Sequence, residues 1–150
     1  MTSDELRPDA ASGNAGSARA SAIPTAPFAD HIGVKVTHVS PERVEGELLV
    51  RPEHANRNGG LHGGAVVTLA DSLSGIATVA NVPAGVATAT IELKTNFLAP
   101  VAVGDVARAE CTPLHRGRTT MVWQTHIRRG DGKLVAIVTQ TQIVTNKGAG

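Results

Sequence analysis

The chain has 150 residues, 14 of them Lys or Arg and 13 Asp or Glu, giving a formal charge of +1 with its six His neutral. That length supports one folded domain, and the balanced charge lacks the basic excess with which polyanion binders displace counterions, so no nucleic-acid partner is expected. Phe28, Phe97 and Trp123 are the only Phe, Tyr or Trp residues, no run reaches the roughly 20 apolar residues that span a bilayer, and the single Cys111 can form no internal disulfide.

Residues 1–25 carry acids early, lack the continuous apolar stretch of a secretory signal and are rich in Ala, Ser, Gly and Asn. They are expected to be a disordered tail ahead of one domain over residues 26–150, in a cytoplasmic protein with no membrane partner. The segment 27–33 predicts a short helical turn that drops Phe28 and Ile32 onto the core. From Val34 the pattern becomes period-two: Val34, Val36 and His38 share one face, Ser40-Pro41-Glu42 marks a turn, and Val44, Gly46, Leu48 and Val50 alternate with charged neighbours. Residues 52–64 are polar and glycine-rich, a loop feeding a helix over 65–80 that is apolar apart from Asp71.

Pro83 and Gly85 stop that helix, and four more period-two runs follow at 87–98, 105–114, 119–128 and 134–144. Six strands and one long helix make an α+β domain with a single antiparallel sheet. The helix is rich in Ala, Ser, Gly and Thr, so a curved sheet can approach its backbone closely and wrap around it. On the strands, Cys111 shares a face with Ala107 and Ala109, and Met121, Trp123 and Ile127 share another, all read as core.

A carboxylate on a buried helix needs a reason to be there. Helical spacing sets Gly64, Thr68, Asp71 and Gly75 on one stripe, able to floor a cleft; the alternative is a structural ion pair with Arg43, Lys94 or Arg108. The helix opens at Gly63-Gly64, where the first backbone N–H groups lack helical partners and the macrodipole is positive. Glycine leaves those N–H groups open to a carbonyl, the requirement of an oxyanion hole, and His62 is placed to orient the loop. Asp71 follows Gly64 by seven residues, roughly 10 Å along the axis. One carbonyl does not easily reach both within a chain, so a two-fold dimer, each subunit supplying what the other lacks, is the favoured assembly.

The stretch from Asn56 to Asp71, NRNGGLHGGAVVTLAD, resembles the hotdog-fold acyl-CoA thioesterases, particularly the phenylacetic acid degradation-related branch and its mammalian relatives. The likeness runs from about Val34 to Val144 and takes in the strand GVATATIELKTNFLAP with its terminal Pro100 and the HRGRTT hairpin. It implies a sheet wrapped on one helix, dimers that pair into tetramers, and metal-independent hydrolysis of a CoA thioester, with a link to aromatic compound degradation and no cofactor beyond the CoA of the substrate. Residue by residue, it makes Asp71 the nucleophile or general base and the Gly63 N–H the oxyanion donor. His62 then supports the loop, Asn56 places the carbonyl or attacking water, and Thr90 binds that water beside an acid from across the interface. An Asp has an ordinary pKa of about 3.9 and starts ionised at neutral pH. The related 4-hydroxybenzoyl-CoA branch has Glu where this chain has Asp71, so direct attack and water activation both stay open.

Gly64 joins the substrate-binding set, and Arg116, Arg118 and Thr119 form a basic hairpin suited to nucleotide phosphates, with a solvated turn as the alternative. His54 and His62 match no zinc spacing, so no metal is expected. Ser72 and Ser74 lack a nucleophile elbow, and Gly59-Gly60 is followed by no G-K-[ST]. Two other readings share the cleft: a non-catalytic acyl-CoA sensor, and a hydratase or dehydratase of the same fold. With so few aromatic residues, the acyl pocket is aliphatic or borrows Phe97 and Trp123.

Overall fold

The computed structural model describes residues 23–145, so the tail expected over residues 1–25 lies almost wholly outside the described residues. A one-turn helix, α1 (Pro27–His31), starts the fold with Pro27 in its first turn, where a missing N–H costs nothing. Phe28 does not reach the core: it is 64% exposed, and Ala29, 1% exposed, packs inward instead, with Ile32 partly buried against the core. A single turn turns one side inward, and the Val34 N–H donating to the Ala29 carbonyl at 2.9 Å selects that side.

Strands β1 (Lys35–Val39) and β2 (Val44–Leu49) form the expected hairpin. The simple alternation fails at one place. A bulge between Val36 and His38 shifts the register, so Val36 and Val39 pack on the core while His38 is exposed. In β2, a Cβ on Gly46 would lie 2.8 Å from a Leu73 methyl and 2.9 Å from the Lys35 carbonyl oxygen, so glycine is what lets the helix seat against the sheet.

That helix, α2 (Gly63–Ala80), is followed by β3 (Ala87–Phe97), β4 (Val106–Arg116), β5 (Thr120–Arg128) and β6 (Leu134–Thr145). All neighbours pair antiparallel in the order β1-β2-β4-β5-β6-β3, and α2 packs against every strand. The α+β expectation of a sheet wrapped on one helix holds. Pro113 is tolerated inside β4 because β2 pairs with β4 only from Val106 to Cys111, leaving no ladder bond on that side for Pro113 to donate.

The core is aliphatic around one indole. Leu69 and Leu73 of α2 and Leu48, Trp123 and Ile127 of the sheet are fully buried, each worth roughly 1.5–3 kcal/mol of transfer free energy. Trp123 Nε1–H donates to Thr78 Oγ1 at 2.8 Å, and Trp123 is the core residue that its strand face predicts. Cys111 is buried, and burial pushes its thiol up to about 11, as befits a small core hydrophobe. By length and composition alone α2 would pass for a membrane span, but its apolar side faces the sheet that wraps it.

Candidate active site

The loop before α2 is stitched on both sides. Asn56 N–H donates to the Gly60 carbonyl (2.7 Å), Leu61 N–H to the Val101 carbonyl (2.8 Å) and His62 N–H to the His54 carbonyl (2.8 Å). Asn56 Oδ1 accepts from Asn58 N–H at 2.9 Å and Gly60 N–H at 3.3 Å, so this side chain shapes the turn. Its amide nitrogen reaches the Leu61 carbonyl only at 3.5 Å. His54 is buried and engaged by Arg51, whose backbone N–H donates to its Nδ1 at 3.2 Å.

His62 is the N-cap of α2, and its Nδ1 accepts the Gly64 N–H at 2.9 Å. The N–H of Gly64, a residue of the expected substrate-binding set, is thus engaged by the cap. The Ala65 N–H goes to the His62 carbonyl at 2.9 Å. Among the described residues, nothing accepts the Gly63 N–H. A cavity of about 330 Å³ opens beside it, lined by Asn56, Leu61, Gly63, Phe97, Ala99 and Pro100. Phe97 lies over the glycine, with its ring 3.1 Å from where a Cβ would sit.

Asp71 is exposed on α2, not buried as its apolar neighbours suggested. None of Arg43, Lys94 and Arg108 pairs with it: Arg43 meets Glu45 at 3.1 Å and Arg108 meets Glu47 at 3.9 Å, on the side of the sheet away from the helix. Its partners are neutral. Thr90 Oγ1–H donates to Asp71 Oδ1 at 2.9 Å, and Gln140 Nε2–H donates to the same oxygen at 2.7 Å. Gln140 and Gln142 also donate to Thr90 Oγ1, at 3.0 and 2.8 Å. A hydroxyl has one proton and two lone pairs, so the two amides fill both lone pairs and direct the proton at Asp71. Thr90 therefore has no remaining capacity to bind a water, and the acid it serves belongs to its own chain. A bulge in β3 between Thr90 and Glu92 helps aim it, leaving the extra residue Ile91 57% exposed. Among the described residues, nothing hydrogen-bonds Asp71 Oδ2.

Within one chain the predicted residues thus fall into separate groups. Asn56, His62 and Gly63 border the cavity at the helix start or its cap; Asp71 and Thr90 line a second cavity of about 280 Å³ that does not include Gly63. The basic hairpin is a third group: Arg116 donates to the Pro41 carbonyl (3.3 Å) and to Asn81 Oδ1 (3.2 Å), beside the C-terminus of α2. Arg118 is exposed and Thr119 gives its carbonyl to Val144 N–H at 2.8 Å. The helix hydroxyls bond back to the preceding turn, Ser72 to the Thr68 carbonyl at 2.6 Å and Ser74 to Ala70 at 3.0 Å, which removes them as nucleophiles.

Gln140 and Gln142 were missed by the sequence reading. Their signal was available: both fall on the inward face of β6, in step with Ala136 and Val138, and a buried amide in an apolar row needs a polar partner.

The model of the thioesterase superfamily matches residues 58–136, more than half of the chain, and takes in His62, Gly63, Asp71 and Thr90. The chain belongs to the thioesterase superfamily. It is 30% identical to a putative esterase of Haemophilus influenzae over 77% of this chain and 83% of that protein, and 30% identical to the mouse acyl-coenzyme A thioesterase 13 over 73% and 80%. Among solved structures it resembles a variant of the phenylacetic acid degradation protein PaaI of Thermus thermophilus, at TM-score 0.73 and 27% identity, covering 79% of this chain and 98% of that one. The wrapped sheet is accordingly the hotdog fold, and this thioesterase is an enzyme that hydrolyses thioesters.

Proposed function

We propose that this thioesterase hydrolyses an acyl-CoA to the free acid and CoA, with Asp71 as the reacting carboxylate and the Gly63 N–H as the oxyanion donor. The observation that carries the reading is the asymmetry at Asp71: Oδ1 is held by Thr90 and Gln140, while Oδ2 has no partner among the described residues. A general base needs a fixed position and one free lone pair, and so does a nucleophile. Acting as base, Oδ2 takes a proton from water as the water oxygen bonds to the thioester carbon. The carbonyl oxygen gains negative charge at the Gly63 N–H, the C–S bond breaks, and the proton passes to the departing thiolate. Acting as nucleophile, Oδ2 bonds to that carbon itself, and water then cleaves the resulting anhydride. Either course needs no cofactor beyond the CoA of the substrate.

The active centre in this reading is shared between two copies of the chain. The two half-sites open into separate cavities, and Gly64 and Asp71 stand roughly 10 Å apart along α2. The edge strand β3 offers the means of assembly, since its outer side is unpaired and it exposes Ile91 and Phe97. Arg118 is the cation of the β4–β5 hairpin left for the nucleotide phosphates, Arg116 being tied to Asn81. The likeness to PaaI and to an acyl-coenzyme A thioesterase supports an acyl-CoA substrate, an aryl acyl group included.

The test is free-thiol release from acetyl-, hexanoyl-, palmitoyl-, phenylacetyl- and hydroxybenzoyl-CoA by wild type, Asp71→Ala and Asp71→Asn. Both variants are expected to stay folded and lose at least about a hundredfold in kcat. Full activity in either overturns the role of Asp71; no release by wild type from any of these substrates overturns the acyl-CoA reading and moves the substrate to a thioester on a carrier protein.

A further inference from the structure

The cavity at Asp71 has a polar end and an apolar end. Asp71, Thr90 and Gln142 form the first, and Ile76 and Val79 of α2 the second. Between them the floor is Gly75, where an added Cβ would meet nothing within 4 Å. Glycine inside a helix costs about 1 kcal/mol relative to alanine, and here it widens the cavity by a side chain. Ser72 of α2 and Thr88 and Ala89 of β3 line it too, and the part of the wall outside the sheet and the helix is Ile23, Pro24 and Ala26, the segment that leads into α1. This segment is anchored. Thr25 Oγ1–H donates to the Asp30 carboxylate, Ala29 is buried, and Ile23 packs against the core.

Resting on the acyl-CoA reading above, we infer that residues 23–26 are the acyl-length gauge of the enzyme, with Ile23 closing the far end of a pocket whose near end is Asp71. The chemistry of the two ends matches an acyl thioester: a carbonyl to be attacked beside a carboxylate, and an apolar tail to be laid along Ile76, Val79 and Ile23. Its size sets the class. A cavity of about 280 Å³ is at the small end of ligand pockets, a scale that suits a short or medium acyl group.

The experiment compares kcat/KM of the full-length wild type, Ile23→Trp and Ile23→Ala on acetyl-, hexanoyl-, decanoyl-, palmitoyl- and phenylacetyl-CoA, with melting temperature as the check on folding. Ile23→Trp shortens the pocket, so the decanoyl-to-acetyl and phenylacetyl-to-acetyl ratios are expected to fall by at least about tenfold, the scale of discrimination for one or two methylenes. Ile23→Ala lengthens it, and the decanoyl-to-hexanoyl ratio is expected to rise. A purely structural role for Ile23 lowers every substrate by one common factor. That result, or an unchanged profile in both variants, overturns the gauge while leaving the thioesterase reading intact, and so does a wild type that prefers palmitoyl. A wild type inactive on the whole panel overturns both.

Discussion

Thr90 accounts for all its hydrogen-bonding capacity, with one proton given to Asp71 Oδ1 and two lone pairs filled by Gln140 and Gln142. It holds the carboxylate, so in the proposed mechanism its contribution is positional. Thr90→Val keeps the shape, removes the donor to Oδ1 and leaves two amides short of an acceptor. Its kcat is expected to fall about ten- to a hundredfold, the worth of a hydrogen bond to a charged group, with KM little changed. Thr90→Ser restores the hydroxyl and should recover most of the loss. A Thr90→Val enzyme with unaltered kcat, read by steady-state thiol release, would show that Gln140 alone suffices to hold the acid.

At the scale of the element, the first turn of α2 supplies the oxyanion donor of the proposed mechanism. Its N–H groups are apportioned between His62 and the open cavity, and Gly63 holds the unclaimed one. Proline is well suited to a first helical position, and His62, at φ −64° and ψ 136°, already has the extended backbone that a residue before proline adopts. Gly63→Pro therefore deletes one N–H with little strain on the helix, and its Cβ meets the exposed Phe97 side chain. We expect Gly63→Pro to lose about 10²- to 10³-fold in kcat, as removal of an oxyanion donor does elsewhere. Gly63→Ala, which brings the same Cβ to Phe97 but keeps the N–H, should lose far less. Equal losses in both would assign the effect to the displaced phenyl ring instead.

At the scale of the whole molecule, the proposed sharing of the active centre between two subunits predicts complementation between two inactive variants. If Asp71 of one subunit serves the Gly63 end of the other, a mixed dimer of Asp71→Ala and Gly63→Pro contains one site with both defects and one with neither. Random mixing makes half of the dimers mixed, so about a quarter of wild-type activity returns. Mixing after denaturation and refolding, or co-expression with two tags, supplies the material, and thiol release is the measure. A site complete within each chain returns nothing, since every site then carries one defect.

Much of this was legible in the sequence because it is local. The helix and its start, the loop from Asn56 to His62 and the turn-separated strands all follow from periodicity, glycine and proline. Asp71 was conspicuous as the one charge in an apolar run. Misreadings arose where one residue of register or one turn direction mattered: the bulge that turns His38 out, and the single turn of α1 that buries Ala29 and leaves Phe28 outside. What only the tertiary structure decided is which residues meet. The sheet curls until β3 and β6 pair and both pass over one face of α2, and only that closure sets Gln140, 69 residues away in the chain, against Asp71. Side chains so distant in sequence share no period, so nothing local encodes their contact. The sequence by itself determined which elements form and where the lone helix carboxylate lies, since both depend on neighbours within a few residues. The wrapped sheet decided that one neutral amide and a hydroxyl, and not an arginine, would hold that carboxylate.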